Sequence, residues 1–238
     1  MIDELKKVEI PEQFGGCSDC DNYDSAIDIF DNAIIPNLEI YHGVSKLVFL
    51  TKEEDKVVKI PFNGEFCETS DGDVFEPFCG APNFNWDYCA LEAEIYKEVA
   101  EAGFGFILAK TELAGHTANG YPFYTQEKVT PYDCYFEDEK ASNEEIKICE
   151  SYIDSYHRHI NRNEELSDTD YIGAVFACTG TAFMVNLIKE YTLEKIKKFA
   201  KWCYQNKPII YYDLHDGNYG YRKNDGTPCI LDYSGWFG

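Results

Sequence analysis

The sequence predicts an α+β protein: strands in the first half, helices in the second, and two short strands at the end. Three observations carry this reading. Runs rich in β-branched and aromatic residues, split by polar turns, fill residues 38–61. Apolar residues at helical spacing recur from about residue 87 and dominate 142–207. Short apolar runs then lead into Asp213 and Asp232. With 238 residues and 45% hydrophobic composition, the chain can bury a sizeable core.

The elements follow in order. Residues 1–37 form an acidic N-terminal extension with one helix, Asp24 to Ile34, ended by Pro36. Tyr41 to Leu50 reads as extended chain, Lys52 to Asp55 as a polar turn, and Lys56-Val57-Val58-Lys59-Ile60 as the returning strand. Residues 62–87 hold Gly, Pro, Asn and aromatics and read as a long loop. A helix is expected over about 87–102, with Leu91, Ile95, Val99 and Ala102 at helical spacing and Gly103 as its stop. Strands are expected near 105–112 and 121–129.

Ser142-Asn143-Glu144-Glu145 is a capping-box signature that opens a helix to about His159. One helix is expected over 169–190, and another from Thr192 with Ile196, Phe199, Ala200 and Cys203 on one face. Pro208 ends it and begins the strand into Asp213. Asn224-Asp225-Gly226 supplies a hairpin turn before Ile230-Leu231-Asp232.

Charge narrows the partners. Forty-three acidic and 21 basic residues give a net charge of −22, which repels nucleic acid and anionic membranes. No run of about 18 apolar residues occurs, and the charged N-terminus lacks a signal-peptide core, so the expected location is cytoplasmic. The ten cysteines are then expected to be mostly reduced thiols. Cys89, Cys149, Cys178 and Cys203 fall in helical patterns and read as small core residues. Cys17 and Cys20 form a Cys-x-x-Cys pair, which Cys67 and Cys79 would have to complete for zinc. Asp71-Gly72-Asp73 reads as a polar turn, since the rest of a calcium loop is missing.

The chemistry concentrates in Asp213-Leu214-His215-Asp216-Gly217-Asn218 and in Asp232. Magnesium-dependent phosphoryl transfer needs a carboxylate near the attacking hydroxyl, and an amide and a second carboxylate to hold metal on the phosphates. This Asp-x-His-x-x-Asn spacing, followed by a strand-borne Asp, resembles the catalytic and metal-binding loops of the protein-kinase-like fold. It is closer to the aminoglycoside and choline phosphotransferase branch than to typical protein kinases. The resemblance implies a two-lobed fold: a small antiparallel β N-lobe, 38–129, with a hinge at its end, and a reduced, mainly helical C-lobe, 130–238.

It also implies roles. Lys59 would hold the nucleotide phosphates and Glu92, preferred over Glu94, would pair with it. Gly43-Val44-Ser45-Lys46 stands where the phosphate-covering loop belongs, with Gly43 and Ser45 as its contacts. The backbone of Glu127 and Val129 would meet the adenine edge, and Gln126 would be the gatekeeper. Asn218 and Asp232 would bind magnesium, Asp213 would orient the acceptor hydroxyl, and His215 would brace the loop. Each residue also has a plainer reading: an edge-strand lysine, a solvated helix charge, an ordinary turn, a polar hairpin.

Departures from the pattern shape the expectation. Tyr212 replaces the Arg of His-Arg-Asp, and few residues follow Asp232, so the peptide-binding parts of protein kinases are not expected. The function expected is an ATP- and magnesium-dependent phosphotransferase with an unknown acceptor, either a small molecule or a protein. Two alternatives stay open: a pseudokinase-type nucleotide-binding or protein-interaction module, and an acidic inhibitor that mimics nucleic acid or masks a basic partner.

Overall fold

Alternation decides which way each strand faces. Leu47 and Phe49, Val58 and Ile60, and Phe123 fall on one side of their strands, with Lys46, Val48, Lys59 and Tyr124 on the other. The computed structural model describes residues 1–16, 30, 39–43, 45–50, 55–78, 87–132, 141–207, 214–215 and 217–235. It is an α+β protein with mostly antiparallel sheets. The chain divides into two compact units, Met1–Glu94 with Lys110–Lys128, and Ile95–Ala109 with Val129–Gly238.

The first unit is built on a five-stranded antiparallel sheet. Its members are β2 (Glu39–His42), β3 (Lys46–Leu50), β4 (Lys56–Pro61), β7 (Thr111–His116) and β8 (Pro122–Glu127), in the order β2-β3-β4-β8-β7. Leu47, Phe49, Val58, Ile60 and Phe123 on its apolar face are buried with Leu5, Ile10, Phe14 and Phe30. Residues 1–16 therefore supply part of this core. They comprise the short helix α1 (Ile2–Leu5) and the two-residue strand β1 (Gly15–Gly16).

Two asparagines hold this segment where no full strand pairing exists. The Asn119 amide donates to the Ile10 carbonyl at 2.6 Å and its oxygen accepts from the Ile10 N–H at 3.1 Å. Asn63 does the same for the Glu12 carbonyl and the Phe14 N–H, at 2.7 and 2.8 Å. Buried backbone groups need such partners, and a side-chain amide matches both the donor and the acceptor.

Residues 64–77 correct the long-loop expectation. They form a hairpin of β5 (Gly64–Thr69) and β6 (Gly72–Pro77), with β1 parallel to β5. Gly72 turns it at φ +114°, a conformation that favours glycine, and Phe66 faces Phe75 across the strands with ring centroids 5.1 Å apart. The helix expected at 24–34 and the strand expected from Pro208 to Asp213 lie outside the described residues. So do Cys17, Cys20 and Cys79.

The second unit is helical around a small sheet. Helix α2 (Tyr88–Glu101) begins in the first unit and ends in the second, where a 3₁₀ turn follows at Gly105–Ile107, and extended pairing resumes only at Thr111. The strand expected from 105 is thus shortened, because the Phe106 and Leu108 carbonyls accept hydrogen bonds from Arg222 Nη2 at 2.9 and 2.8 Å. Helix α3 (Asn143–Arg162) opens on the anticipated capping box: the Ser142 side chain accepts from the Glu145 N–H, and Glu145 accepts from the Ser142 N–H.

The single helix expected over 169–190 is two, α4 (Asp170–Val175) and α5 (Thr181–Tyr191). Gly180 breaks it with ψ 129°, and its N–H donates to the Tyr219 hydroxyl at 3.0 Å. Cys178 lies in this break and is exposed, unlike the buried Cys89, Cys149 and Cys203. Helix α6 (Leu193–Asn206) buries Ile196, Phe199, Ala200 and Cys203, the face read from its spacing. Strands β9 (Val129–Pro131), β10 (Tyr219–Arg222) and β11 (Pro228–Ile230) form a three-stranded sheet in the order β11-β10-β9. Among the described residues no helix is long and apolar enough to cross a membrane.

Phe14 is 1% exposed and meets Phe30, Phe62 and Tyr121 edge-on. Phe14→Ala is expected to lower the unfolding free energy by about 3–5 kcal/mol, measured by urea denaturation. A loss below about 1 kcal/mol would show that residues 1–16 are not part of the cooperative core.

Candidate functional site

The polar face of the five-stranded sheet runs through Val48, Lys59 and Tyr124, which are directly paired across β3, β4 and β8. Lys46 lies two residues before Val48 and Gln126 two after Tyr124, so both share this face. Thr111, paired with Gln126, extends it onto β7. The polar side chains of Lys46, Lys59, Gln126 and Thr111 need polar partners once this face is covered.

Glu92, in α2, is that partner. Its Oε1 accepts from Lys46 Nζ at 2.8 Å and its Oε2 from Lys59 Nζ at 2.8 Å. Gln126 Nε2 lies 3.3 Å from Oε2 and 2.8 Å from Thr111 Oγ1. Glu92 is 0% exposed, Lys59 2% and Lys46 5%, so water contributes little. Replacing Glu92 removes the carboxylate to which both lysines donate, a cost of about 3–5 kcal/mol. Glu94 is exposed, so of the two helix glutamates Glu92 is the one brought to Lys59.

The start of the helix fixes where Glu92 stands. Asp87 Oδ1 accepts from the Ala90 N–H at 2.8 Å, capping the first turn, and Oδ2 accepts from the Tyr124 hydroxyl at 2.7 Å. Tyr124 thus ties the helix start to β8. Burial pushes the Asp87 carboxyl above its ordinary value, against the lowering effect of the bonds from Tyr124 and Ala90. Burial, and then donation to Asp87, raises the Tyr124 hydroxyl. Burial also raises the Cys89 thiol, which keeps it unreactive.

The other residues expected in the first unit are placed by backbone. The Gly43 N–H donates to the Lys46 carbonyl at 2.9 Å, closing the turn between β2 and β3, and the Ser45 carbonyl accepts from the Phe62 N–H at 2.8 Å. Val44 lies outside the described residues. At the end of β8 the Glu127 N–H donates to the Lys110 carbonyl at 3.1 Å, and Glu127 Oε2 accepts from the Lys110 N–H at 2.9 Å. Val129 begins β9 and pairs with Arg222 of β10.

In the second unit the β10–β11 hairpin brings Asn218 and Asp232 together. Tyr219 pairs with Ile230, so the residues just outside the ladder meet at its open end. The Asn218 carbonyl accepts from the N–H groups of Leu231 and Asp232, at 2.9 and 3.3 Å. Ser234 Oγ approaches Asp232 Oδ1 at 3.4 Å. His215 meets Asn218 twice: its carbonyl accepts the Asn218 N–H at 3.0 Å, and its Nε2 lies 3.5 Å from Asn218 Nδ2. An amide and a carboxylate, both half-buried, are hard donors of the kind magnesium uses beside phosphate oxygens and water. Asp213 and Asp216 lie outside the described residues.

Sequence reasoning misses Lys46 as a partner of Glu92. The signal was available: Lys46 alternates with Leu47 as Lys59 does with Ile60, which places both lysines opposite the apolar face. Reading Gly43 to Lys46 as one loop hides that alternation. Asp87 and Tyr124 leave no such signal, because their contact joins a helix start to a strand 37 residues away.

Folding raises the Asp87 proton affinity above the ordinary carboxylate value of 3.8. Its stabilising contribution is therefore full below that value and is lost as pH rises through the higher folded-state value. The stability difference between wild type and Asp87→Asn should fall from about pH 3 to about pH 6, measured by urea denaturation across that range. A difference that rises over this range would show that the carboxylate is stabilised in its charged form.

No protein-family model matches the chain, and no curated protein does. The chain is similar to a solved structure of the streptomycin–ATP–APH(2″)-IIa ternary complex, at 12% sequence identity and a TM-score of 0.30. The similarity covers 85% of this chain and 68% of that one.

Proposed function

We propose that the chain is a kinase-like phosphotransferase that uses ATP and magnesium. The observation that carries the reading is the buried Lys59–Glu92 ion pair between strand and helix. A buried charge pair is a poor source of stability compared with apolar packing, so its presence on a sheet face calls for another reason. Positioning a lysine for phosphate oxygens is such a reason.

In this reading Lys59 meets the nucleotide phosphates, oriented by Glu92. The turn at Gly43 and Ser45 covers them, and the backbone at Glu127 and Val129 meets the base. Asn218 and Asp232 hold magnesium, whose charge offsets that on the transferring group. Asp213 accepts the proton of the acceptor hydroxyl as its oxygen bonds to the γ-phosphorus and ADP departs. Charge spread over the phosphoryl oxygens is stabilised mainly by fixed cations, which is what Lys59 and a metal would supply. The hairpin contact that places Asn218 beside Asp232 supports the metal assignment.

The test is ATP binding by isothermal titration with magnesium, together with turnover of radiolabelled ATP. Wild type should bind and turn over ATP. Asp213→Ala and Asp232→Ala should each lower turnover at least about 100-fold. Binding without turnover would select a nucleotide-binding module, and absence of both would refute the nucleotide reading.

A further inference from the structure

The ion pair differs from a simple lysine–glutamate couple, because the glutamate has two lysines. Each takes its own oxygen: Lys46 is on Oε1, Lys59 on Oε2, both at 2.8 Å. Gln126 also reaches Oε2, at 3.3 Å, and is anchored on Thr111. All four residues, Lys46, Lys59, Glu92 and Gln126, are at most 5% exposed.

A single lysine between a buried carboxylate and a phosphate has a conflict. Moving toward the phosphate leaves the carboxylate uncompensated in a poorly hydrated place. Here the second lysine removes the conflict. If Lys59 leaves Oε2, Lys46 still neutralises Glu92 and the Gln126 amide still donates to the vacated oxygen. Lys46 cannot be replaced in this by water, since Glu92 is 0% exposed.

We propose that Lys46 is a positioning residue: the standing counter-ion of Glu92 that lets Lys59 exchange the carboxylate for a phosphate of the bound nucleotide. The inference rests on the nucleotide reading given above and adds to it a residue that does not itself touch the nucleotide. Lys46 acts through Glu92, and Gln126 assists by holding Oε2.

The test uses the full chain and ATP with magnesium, with affinity read by isothermal titration and unfolding by thermal scan without nucleotide. Lys46→Met should weaken ATP binding at least about tenfold, because Lys59 is then held by Glu92. Lys46→Arg should restore affinity to within about threefold of wild type. Lys46→Met/Glu92→Gln should bind ATP no more weakly than Glu92→Gln alone, since an uncharged amide needs no counter-ion. A merely structural role would lower the unfolding temperature of Lys46→Met and leave its ATP affinity unchanged, and that result overturns the inference while the nucleotide reading stands. A further loss in Lys46→Met/Glu92→Gln relative to Glu92→Gln would also overturn it, as Lys46 would then act on the nucleotide directly. That second comparison decides the matter if Lys46→Met alone does not fold. Wild type that binds no ATP overturns both the inference and the nucleotide reading.

Discussion

A carboxylate taken fully out of water must find positive charge and hydrogen-bond donors, and in the first unit that requirement falls on Glu92. Lys46 and Lys59 meet it from two neighbouring strands, and Gln126 from a third. The sheet therefore has two unlike sides. One carries charges that must be matched singly, at defined distances. The other carries Leu47, Phe49, Val58 and Ile60, which ask only to be covered. The helix start at Asp87 and its bond to Tyr124 belong to the demanding side, because they set where Glu92 can stand.

The covering of the apolar side is achieved with little regular structure. Residues 1–16 contribute a four-residue helix and a two-residue strand. Their backbone is instead satisfied by two asparagine side chains, Asn63 and Asn119. This arrangement couples the N-terminal segment to two neighbouring connections of the sheet, one beside Phe62 after β4 and one before Tyr121 at the start of β8. The core that supports the lysine-bearing strands is in this way assembled from distant parts of the chain.

How much could be read from the sequence follows from the range of the forces involved. Local signals were legible: the Ser142–Glu145 capping box, the apolar face of α6, and the Asn224–Gly226 turn of the last hairpin. Lys59 stood out as a charge in an apolar strand, whereas helical spacing left Glu92 and Glu94 both open and only the resemblance favoured Glu92. The β5–β6 hairpin was not legible, since its strands mix Cys, Glu and Phe, and its stability comes from the Phe66–Phe75 contact and from β1. The break between α4 and α5 was also hidden. It depends on the Tyr219 hydroxyl, which arrives from a strand 39 residues later. Lys46 was concealed for a different reason, as a turn and a strand share the same few residues.

The Asn218 carbonyl is shared by two N–H groups, from Leu231 and Asp232, and this has a geometric consequence. The spacing of Asn218 and Asp232 is measured out by main-chain rungs, from Tyr219–Ile230 to Tyr221–Pro228, and not by the side chains along the hairpin. Beyond those rungs lies the turn from Lys223 to Gly226, closed by the Gly226 N–H on the Arg222 carbonyl at 2.8 Å. The pair stands at the opposite end of the ladder from that turn. The hairpin works as a ruler with one calibrated edge, and the two oxygen donors sit on it.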